Sequence, residues 1–271
     1  MHQHMAKIIH PERDALDEAA ELYRQARYPV ALTGAGISVE SGIPDFRSDG
    51  GLWTVFRPEE YATIEAFTRS PEKAWRLYRA LSAGLIDKQP GPAHTALAQL
   101  EAADELEAII TQNIDGLHSR AGSQRVLQVH GEHQNLHCLA CGFLRPFRQS
   151  DLEDGPPPAC SKCGYPLKPN IVLFGEMVRE MPKIDEFLAL CDLLLVIGTS
   201  AQVYPVASFP YMVHRQGGLI YEFNMAPTPL THSADFFFEG KAGTSLPALA
   251  KAVLGVTGLK LSPRPHGPHR I

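Results

Sequence analysis

Short apolar runs alternate along this chain with longer segments whose apolar residues recur at helical spacing. The runs predict buried strands, and the segments between them predict helices. Strands are expected at 30–33, 106–111, 126–129, 171–174, 193–198, 219–223 and 236–238, and helices at 14–27, 70–81, 93–102, 114–121, 181–190, 206–215 and 246–254. Strands that alternate with helices form a parallel sheet covered on both faces. The predicted fold class is therefore α/β, with a doubly wound parallel sheet.

Length and charge narrow the class of protein further. The chain has 271 residues, which at roughly 150 residues per domain allows one large domain with a smaller insertion. Its 25 basic and 30 acidic residues leave a net charge of −5, so no overall attraction to nucleic acid or to an anionic membrane is expected. Apolar runs such as Leu193–Ile197 are far shorter than a membrane span. Met1–His10 lacks the apolar core of a signal peptide, and we therefore predict a cytoplasmic protein.

Four of the five cysteines form two Cys-x-x-Cys pairs, Cys138 with Cys141 and Cys160 with Cys163. Two residues between thiols let both sulfurs point at one ion, and two such pairs complete the tetrahedral ligand set of Zn²⁺. Because four thiolates leave no open coordination position, the predicted zinc ion is structural. The surrounding stretch, 133–169, is rich in glycine and proline and interrupts the strand–helix alternation. It is therefore predicted to be an insertion into the sheet domain.

A glycine-containing turn, Thr-Gly-Ala-Gly-Ile-Ser at 33–38, follows the first predicted strand. Glycines at this point let backbone NH groups approach a pyrophosphate. The third glycine of the usual dinucleotide fingerprint is missing, since Val39 occupies its place, so the motif alone also fits a simple tight turn. The polar loop that follows contains Asp45, Phe46 and Arg47 in a row. Such residues contribute little to a core, and they indicate a lid over a ligand.

Polar or small residues also follow the other predicted strands. They are Gln112, Asn113 and Asp115 after 106–111, His130 after 126–129, Gly198, Thr199 and Ser200 after 193–197, and Asn224 after 219–223. The carboxyl ends of parallel strands meet at one edge of a sheet, where ligands bind in open α/β folds. Taken alone, Asn113 fits a helix cap equally well, and a lone histidine is more often structural than catalytic. At this edge, however, His130 is suited to act as a general base near neutral pH.

Together these motifs resemble those of the sirtuins, which are NAD-dependent protein-lysine deacylases. The matching segments occur in family order and are 34–38, 42–47, 112–115, 130–131, the four cysteines, 169–176, 198–200 and Asn224. The resemblance implies a Rossmann-like NAD-binding domain made of residues 1–39, 83–132 and 169–271. It also implies a helical insertion with a cofactor loop at 40–82 and a zinc-ribbon small domain at 133–168. NAD and an acylated lysine of a protein or peptide substrate would meet in the cleft between them, in a monomeric enzyme.

The resemblance also implies the reaction. In this family the acyl oxygen of the substrate attacks the nicotinamide ribose and expels nicotinamide. A histidine, matched here by His130, deprotonates a ribose hydroxyl, which then attacks the acyl carbon. The products are deacylated lysine, nicotinamide and O-acyl-ADP-ribose. Asn113 and Asp115 complete the implied catalytic set, because negative charge near the ribose favours the positive charge that builds as nicotinamide leaves.

The remaining matched positions carry over to binding roles. NAD is expected to contact Gly34, Ala35, Gly36, Ser38, Asp45, Phe46, Arg47, Gln112, Asn113, Ile114, Asp115, Gly198, Thr199, Ser200, Asn224 and Ala242. The acyl-lysine substrate is expected to contact Tyr78, Val172, Phe174, Gly175 and Glu176. The backbone around Gly175 and Glu176 would pair with the substrate peptide as a strand.

One helix bears on which acyl group is removed. Sirtuins that prefer succinyl- or malonyl-lysine carry a tyrosine and, three residues later, an arginine that together clamp the acyl carboxylate. Here Tyr78 is followed at that spacing by Leu81. Arg76 and Arg79 are expected to face away from the pocket, given the helical angle between neighbours. We therefore predict a preference for acetyl-lysine, and for longer uncharged acyl chains, over succinyl-lysine.

Two other functions remain open on the sequence alone. An ADP-ribosyltransferase or an NAD hydrolase would use the same site, although His130 and the intact 169–176 motif favour deacylation. A non-enzymatic nucleotide sensor or nucleic-acid-binding protein would use the zinc ribbon. The basic residues near the ribbon are balanced by acidic ones, which argues against that third function.

Overall fold

A computed structural model describes residues 7–9, 13–45 and 51–255 of the chain. Its strands, in chain order, are β1 (Lys7–Ile9), β2 (Pro29–Thr33), β3 (Ala108–Thr111), β4 (Val126–Gln128), β5 (Gly131–Cys138), β6 (Leu144–Pro146), β7 (Leu167–Ile171), β8 (Leu193–Ile197), β9 (Leu219–Asn224) and β10 (Phe236–Glu239). Seven of them form one sheet in the order β1-β10-β9-β8-β2-β3-β4, and every neighbouring pair in it is parallel. The prediction of a doubly wound parallel sheet is confirmed.

Helices cover both faces of this sheet. In chain order they are α1 (Arg13–Gln25), α2 (Leu52–Val55), α3 (Pro58–Tyr61), α4 (Ile64–Arg69), α5 (Pro71–Leu85), α6 (Pro92–Ala102), α7 (Leu117–Arg120), α8 (Met181–Leu190), α9 (Phe209–Arg215) and α10 (Ala242–Leu254). Apolar residues of α1, α6 and α10 form one core with one face of the sheet, and those of α8 and α9 form a second core with the other face. Among the described residues, no helix has both the length and the apolar character needed to span a membrane.

A second sheet is small and antiparallel, with the order β6-β5-β7. It lies in the stretch that carries the four cysteines. A third core joins this sheet to α4 and α5, and it includes Trp75, Tyr78 and Leu81 from the helices with Leu136 and Leu167 from the strands. The small sheet and the helical insertion therefore fold against each other as one packed unit.

The apolar run at 171–174 is not a strand of the parallel sheet, and this prediction was wrong. The strand ends at Ile171 and belongs to the small sheet, where Ile171 pairs with Gly131. The run then leaves that sheet: the Val172 NH donates to the carbonyl of His130 (2.8 Å), and the Phe174 NH donates to the carbonyl of Ala62 (3.0 Å). The backbone of this run is satisfied alternately by His130, after β4, and by Ala62, in the helical insertion. Its sequence therefore resembles that of a buried strand although it does not belong to the main sheet.

The predicted helix at 114–121 is shorter in the structure, where α7 spans only Leu117–Arg120. Gly116 has a positive φ of 72°, and the Leu117 NH donates to the side chain of Asp115 (2.8 Å). A left-handed residue and a side-chain acceptor at this point favour a turn over a helical start. The five residues between β3 and α7, 112–116, therefore form a loop. Two other helices shift at their starts: α10 begins at Ala242 rather than 246, and 206–215 divides into a 3-10 turn followed by α9.

Candidate active site

Two glycine turns meet where β2 and β8 lie side by side at the centre of the sheet. The chain runs outward from these two strands in opposite directions, through β3 and β4 on one side and β9 and β10 on the other. The Gly36 NH donates to the carbonyl of Gly198 (2.8 Å), and the Gly34 NH donates to that of Ile197 (3.0 Å). A Cβ on Gly36 would lie 2.6 Å from the Gly198 Cα. Glycine is therefore required here, and the crevice is the place where open α/β sheets bind ligands.

The loop after β3 carries a buried hydrogen-bond network. The side-chain amide of Asn113 donates to the carbonyl of Gly34 (3.0 Å) and to Ser38 Oγ (3.2 Å). Ser38 Oγ in turn donates to Asp115 Oδ2 (2.7 Å). The amide of Asn113 thus binds the first glycine turn and does not cap a helix. The network fixes the Asp115 carboxylate immediately behind the wall of the crevice.

His130 follows β4 and lies at the same edge. Its Nδ1 is 2.9 Å from the carbonyl oxygen of Gln112. Because a carbonyl oxygen only accepts, the neutral ring carries its hydrogen on Nδ1, which leaves Nε2 unprotonated. Burial lowers the pKa of His130, and the hydrogen bond to Gln112 partly opposes that shift. The imidazole is therefore neutral near pH 7 and suited to accept a proton.

One cavity of about 840 Å³ runs along this edge and continues into the core beneath the small sheet. Its lining brings together most of the residues expected to contact NAD, which are Gly34, Ala35, Gly36, Asp45, Gln112, Asn113, Ile114, Gly198, Thr199, Ser200, Asn224 and Ala242. His130 also lines it. Ser38 and Asp115 do not, since both are buried behind the wall and reach the site through the network described above. Phe46 and Arg47 lie outside the described residues.

The inner end of the cavity is apolar. All the residues expected to contact the acyl-lysine substrate line the cavity, namely Tyr78, Val172, Phe174, Gly175 and Glu176, and they are joined by Leu77, Leu81 and Ala62. Leu81 occupies the position where an acyl-carboxylate clamp would need arginine. The Arg79 guanidinium instead donates to the carbonyl of Gly155 (3.0 Å) and lies over the Trp75 ring, and Arg76 is exposed. Neither arginine lines the cavity.

A residue that sequence reasoning missed lies at the far end of the cavity. Glu40 lines it, and its Oε2 accepts the backbone NH of Gly243 (2.7 Å) in the first turn of α10. The N-terminus of α10 carries a partial positive charge, so the Glu40 carboxylate stabilises this end of the helix. The side-chain amide of Asn224 donates to the carbonyl of Thr199 (2.9 Å). Glu40 lies between the matched segments 34–38 and 42–47, so its position beside the glycine turn was the available signal.

The four cysteine sulfurs of the small unit all lie within 4.8 Å of one another. Tetrahedral zinc with sulfur ligands at about 2.3 Å requires sulfur–sulfur separations of roughly 3.8 Å. The sulfur–sulfur distances of 3.5 Å between Cys138 and Cys163 and 3.6 Å between Cys141 and Cys160 are close to that spacing. The donor set therefore fits a structural zinc ion. Cys138 and Cys160 are buried in the third core, which also contains Tyr78.

Comparison with known proteins settles the family. Residues 34–205 match the model of the Sir2 family. The chain belongs to the Sir2 family. An NAD-dependent protein deacylase of Pyrococcus furiosus is 41% identical over 244 residues, which cover 88% of this chain and 98% of that protein. The predicted family is therefore confirmed.

Solved Sir2 structures share the fold described above. A crystal structure of a Sir2 homologue in complex with NAD has a TM-score of 0.85 and 40% identity, and it covers 93% of this chain and 98% of its own. A Sir2 protein with a deacetylated p53 peptide and 3′-O-acetyl ADP ribose has a TM-score of 0.80 and 33% identity, and it covers 88% of this chain and 97% of its own. Both likenesses extend over the parallel sheet and the small unit together.

Proposed function

We propose that this protein is an NAD-dependent protein-lysine deacylase, which transfers the acyl group of acyl-lysine to ADP-ribose and releases nicotinamide. The observation that carries the proposal is that one cavity is continuous from the cofactor crevice to the acyl-lysine site. It joins the two glycine turns and His130 to an apolar chamber beneath the small sheet. A hydrolase of NAD alone has no use for such a chamber, whereas an acyl chain on lysine would fill it. The deacetylated peptide and acetyl ADP ribose bound by the Sir2 relative support the same reaction.

NAD supplies the leaving group, nicotinamide, and the ADP-ribose that accepts the acyl group. The NH groups of Gly34, Gly36 and Gly198 are already bonded within the crevice. The phosphate and adenosine portions would therefore lie against the remaining backbone of the turns at 34–36 and 198–200, where the glycines permit close approach. Asn113 would form the wall beside the nicotinamide ribose. Asp115 places negative charge behind that wall, where positive charge develops as the glycosidic bond breaks. Phe46 and Arg47 remain expected contacts of the same cofactor.

His130 is the proposed general base. Its Nδ1–H is held by the carbonyl of Gln112 (2.9 Å), so Nε2 is the atom that would take a proton from a ribose hydroxyl. Because the pKa of His130 is lowered by burial, the ring is ready to accept that proton at neutral pH. After the transfer the imidazolium would return its proton as the lysine amine leaves.

The acyl chamber supports a preference for uncharged acyl groups. Leu81 and Leu77 line it, and the arginines of α5 are directed elsewhere. A succinyl carboxylate buried there would find no arginine of α5 as a partner, and the ammonium of Lys168 is already paired with Glu176, so its burial is costly. We infer acetyl-lysine as the preferred group, with longer uncharged chains as a second class. A monomeric, cytoplasmic enzyme with a protein or peptide substrate remains the expectation from sequence.

Product analysis tests the proposal directly. An acetyl-lysine peptide would be incubated with the protein, with and without NAD, and the products identified by mass spectrometry. The proposal requires deacetylated peptide and O-acetyl-ADP-ribose, both dependent on NAD. Free ADP-ribose without deacetylation would favour an NAD hydrolase, and an ADP-ribosylated peptide would favour a transferase.

A further inference from the structure

A lysine is fully buried beside the acyl chamber. Lys168 lies in β7 and has 0% of its surface exposed. Its ammonium group donates to the carbonyl of Ile171 (2.5 Å) and to Oε2 of Glu176 (3.0 Å). Burial lowers the pKa of Lys168, and the carboxylate of Glu176 opposes that shift. Burying an ammonium is expensive even when it is paired, so its presence needs a reason beyond filling space.

The partner carboxylate is shared. Oε2 of Glu176 also accepts the backbone NH of Leu173 (2.7 Å), and the NH of Glu176 donates back to the carbonyl of Leu173 (3.0 Å). Lys168 thus binds Ile171, where the strand ends, and Glu176, where the turn ends. The ion pair spans the segment 171–176, which we call the acyl-site segment.

The acyl-site segment connects the groups that the reaction needs. Its Val172 NH donates to the carbonyl of His130 (2.8 Å), the proposed base. Phe174 exchanges hydrogen bonds with the helical insertion: its NH donates to the carbonyl of Ala62 (3.0 Å), and its carbonyl accepts the Ile64 NH (3.1 Å). Every residue of the segment lines the cavity. A small displacement of this backbone would move the chamber wall relative to His130.

We propose that Lys168 is a positioning residue, which acts through Glu176 to hold the acyl-site segment in the shape that receives an acyl-lysine peptide. The proposal rests on the proposed function and extends it to a residue that does not touch substrate. An ion pair is directional and fixes both ends of the turn at once. An apolar side chain at 168 would fill the volume but would leave the carbonyl of Ile171 and the carboxylate of Glu176 without this donor.

A purely stabilising role makes different predictions. If the pair only stabilises the fold, its loss lowers the melting temperature and affects NAD and peptide binding alike. If it positions the segment, peptide binding is weakened selectively, because the glycine turns that would bind NAD make no contact with Lys168 in the hydrogen bonds of the described residues. Misplacement of a binding group by about 1 Å commonly costs on the order of 100-fold in rate.

The test uses Lys168→Met, the conservative Lys168→Arg, and Lys183→Met as a control on the exposed face of α8. Three quantities are measured in each: hydrogen exchange of the Leu173 amide, affinity for an acetyl-lysine peptide in the presence of ADP-ribose, and affinity for NAD. For Lys168→Met we expect exchange about five- to tenfold faster, peptide affinity at least about tenfold weaker, and NAD affinity within about twofold. Lys168→Arg should restore most of the peptide affinity, and Lys183→Met should match the wild type.

The double variant Lys168→Met/Glu176→Gln, which buries no unpaired charge, carries the test if Lys168→Met fails to fold. Full peptide affinity in that double variant would overturn the proposal. So would unchanged exchange at Leu173 in a folded variant, or a loss of NAD affinity equal to the loss of peptide affinity. If the wild type itself binds no acyl-lysine peptide, the proposed function fails. The exchange result still decides whether Lys168 holds the segment.

Discussion

The two ends of the cavity are built from different parts of the chain. At the cofactor end the shape is set by backbone: Gly36 and Gly198 approach so closely that no Cβ fits between them, and their NH and carbonyl groups bond strand to strand. At the acyl end the shape is set by side chains of α5 and the acyl-site segment, such as Tyr78, Leu81 and Leu173. Backbone shape tolerates almost no substitution, whereas a side-chain wall changes with each residue.

The contrast extends to metal dependence. Cys138 and Cys160 pack in the same core as Tyr78 and Leu81, so the predicted zinc ion supports the acyl end. The glycine turns of the cofactor end pack between β2 and β8, on the parallel sheet. Changes at one end are therefore expected to affect one ligand more than the other, and His130 lies where the two ends meet.

Replacement of His130 should have the largest effect on turnover while leaving the shape of both ends of the cavity unchanged. For His130→Ala we expect deacetylation to fall by about 10²–10⁴-fold, which is the usual contribution of a general base, with NAD affinity nearly unchanged. Initial rates and calorimetric NAD titration check this. His214→Ala, on an exposed face of α9, is the matched control. If His130→Ala retained more than about half of the wild-type rate, another group would have to be the base.

Replacement of Gly198 should distort the cofactor end of the cavity and weaken NAD binding. In Gly198→Ala the new Cβ would lie 2.4 Å from the Ile37 nitrogen, at a residue whose φ is +58°. A left-handed non-glycine residue alone costs about 1–2 kcal/mol, and the collision adds to it, so we expect NAD affinity to fall at least about 30-fold. Calorimetry measures the affinity, and circular dichroism verifies the fold. Gly84→Ala is the control, since a Cβ there meets no atom within 4 Å; equal NAD affinities in the two variants would contradict the account.

Removal of zinc should weaken binding of the acyl-lysine peptide more than binding of NAD. Elemental analysis of freshly purified protein is expected to find one zinc ion per chain. Chelation should unfold the small unit, because closed thiolate sites contribute to folding. We expect affinity for an acetyl-lysine peptide to fall more than about tenfold while most NAD affinity is retained, and added zinc should restore it. Protein purified without zinc but fully active would show that the cysteines have another role.

Replacement of Leu81 by arginine should change which acyl group the enzyme prefers. Leu81→Arg places a guanidinium three residues after Tyr78, on the face that lines the cavity. A charged hydrogen bond is worth roughly 1.5–3 kcal/mol, so the ratio of kcat/KM for succinyl- over acetyl-lysine peptide should rise at least about tenfold. Ala80→Arg, on the exposed face of the same helix, should leave the ratio unchanged. A wild-type preference for succinyl-lysine would contradict the expected specificity.

The cofactor end was more predictable from sequence than the acyl end, because its shape is set by backbone rather than by side chains. Glycines that must adopt special backbone geometry are visible as residue types, and Gly34, Gly36 and Gly198 all fall at strand ends where the pattern placed them. The four cysteines are equally visible, because their spacing reports a shared ion. The parallel sheet followed from the strand–helix alternation.

The acyl end could not be derived in the same way. The run at 171–174 has the composition of a buried strand, and only the tertiary fold shows that its backbone is shared between His130 and Ala62. Lys168 is unremarkable in the sequence, since its burial depends on Glu176 across a turn. The direction of Arg79 was predictable from helical geometry, but its partner, the carbonyl of Gly155, was not.

The central claim is that one cavity couples cleavage of NAD to removal of an acyl group. The stoichiometry of the reaction tests it most directly. Nicotinamide release and peptide deacetylation would be measured together, with an acetyl-lysine peptide and with the same peptide unacetylated. The account predicts one nicotinamide released for each acetyl group removed, and almost none with the unacetylated peptide. Nicotinamide release at similar rates with both peptides would contradict it.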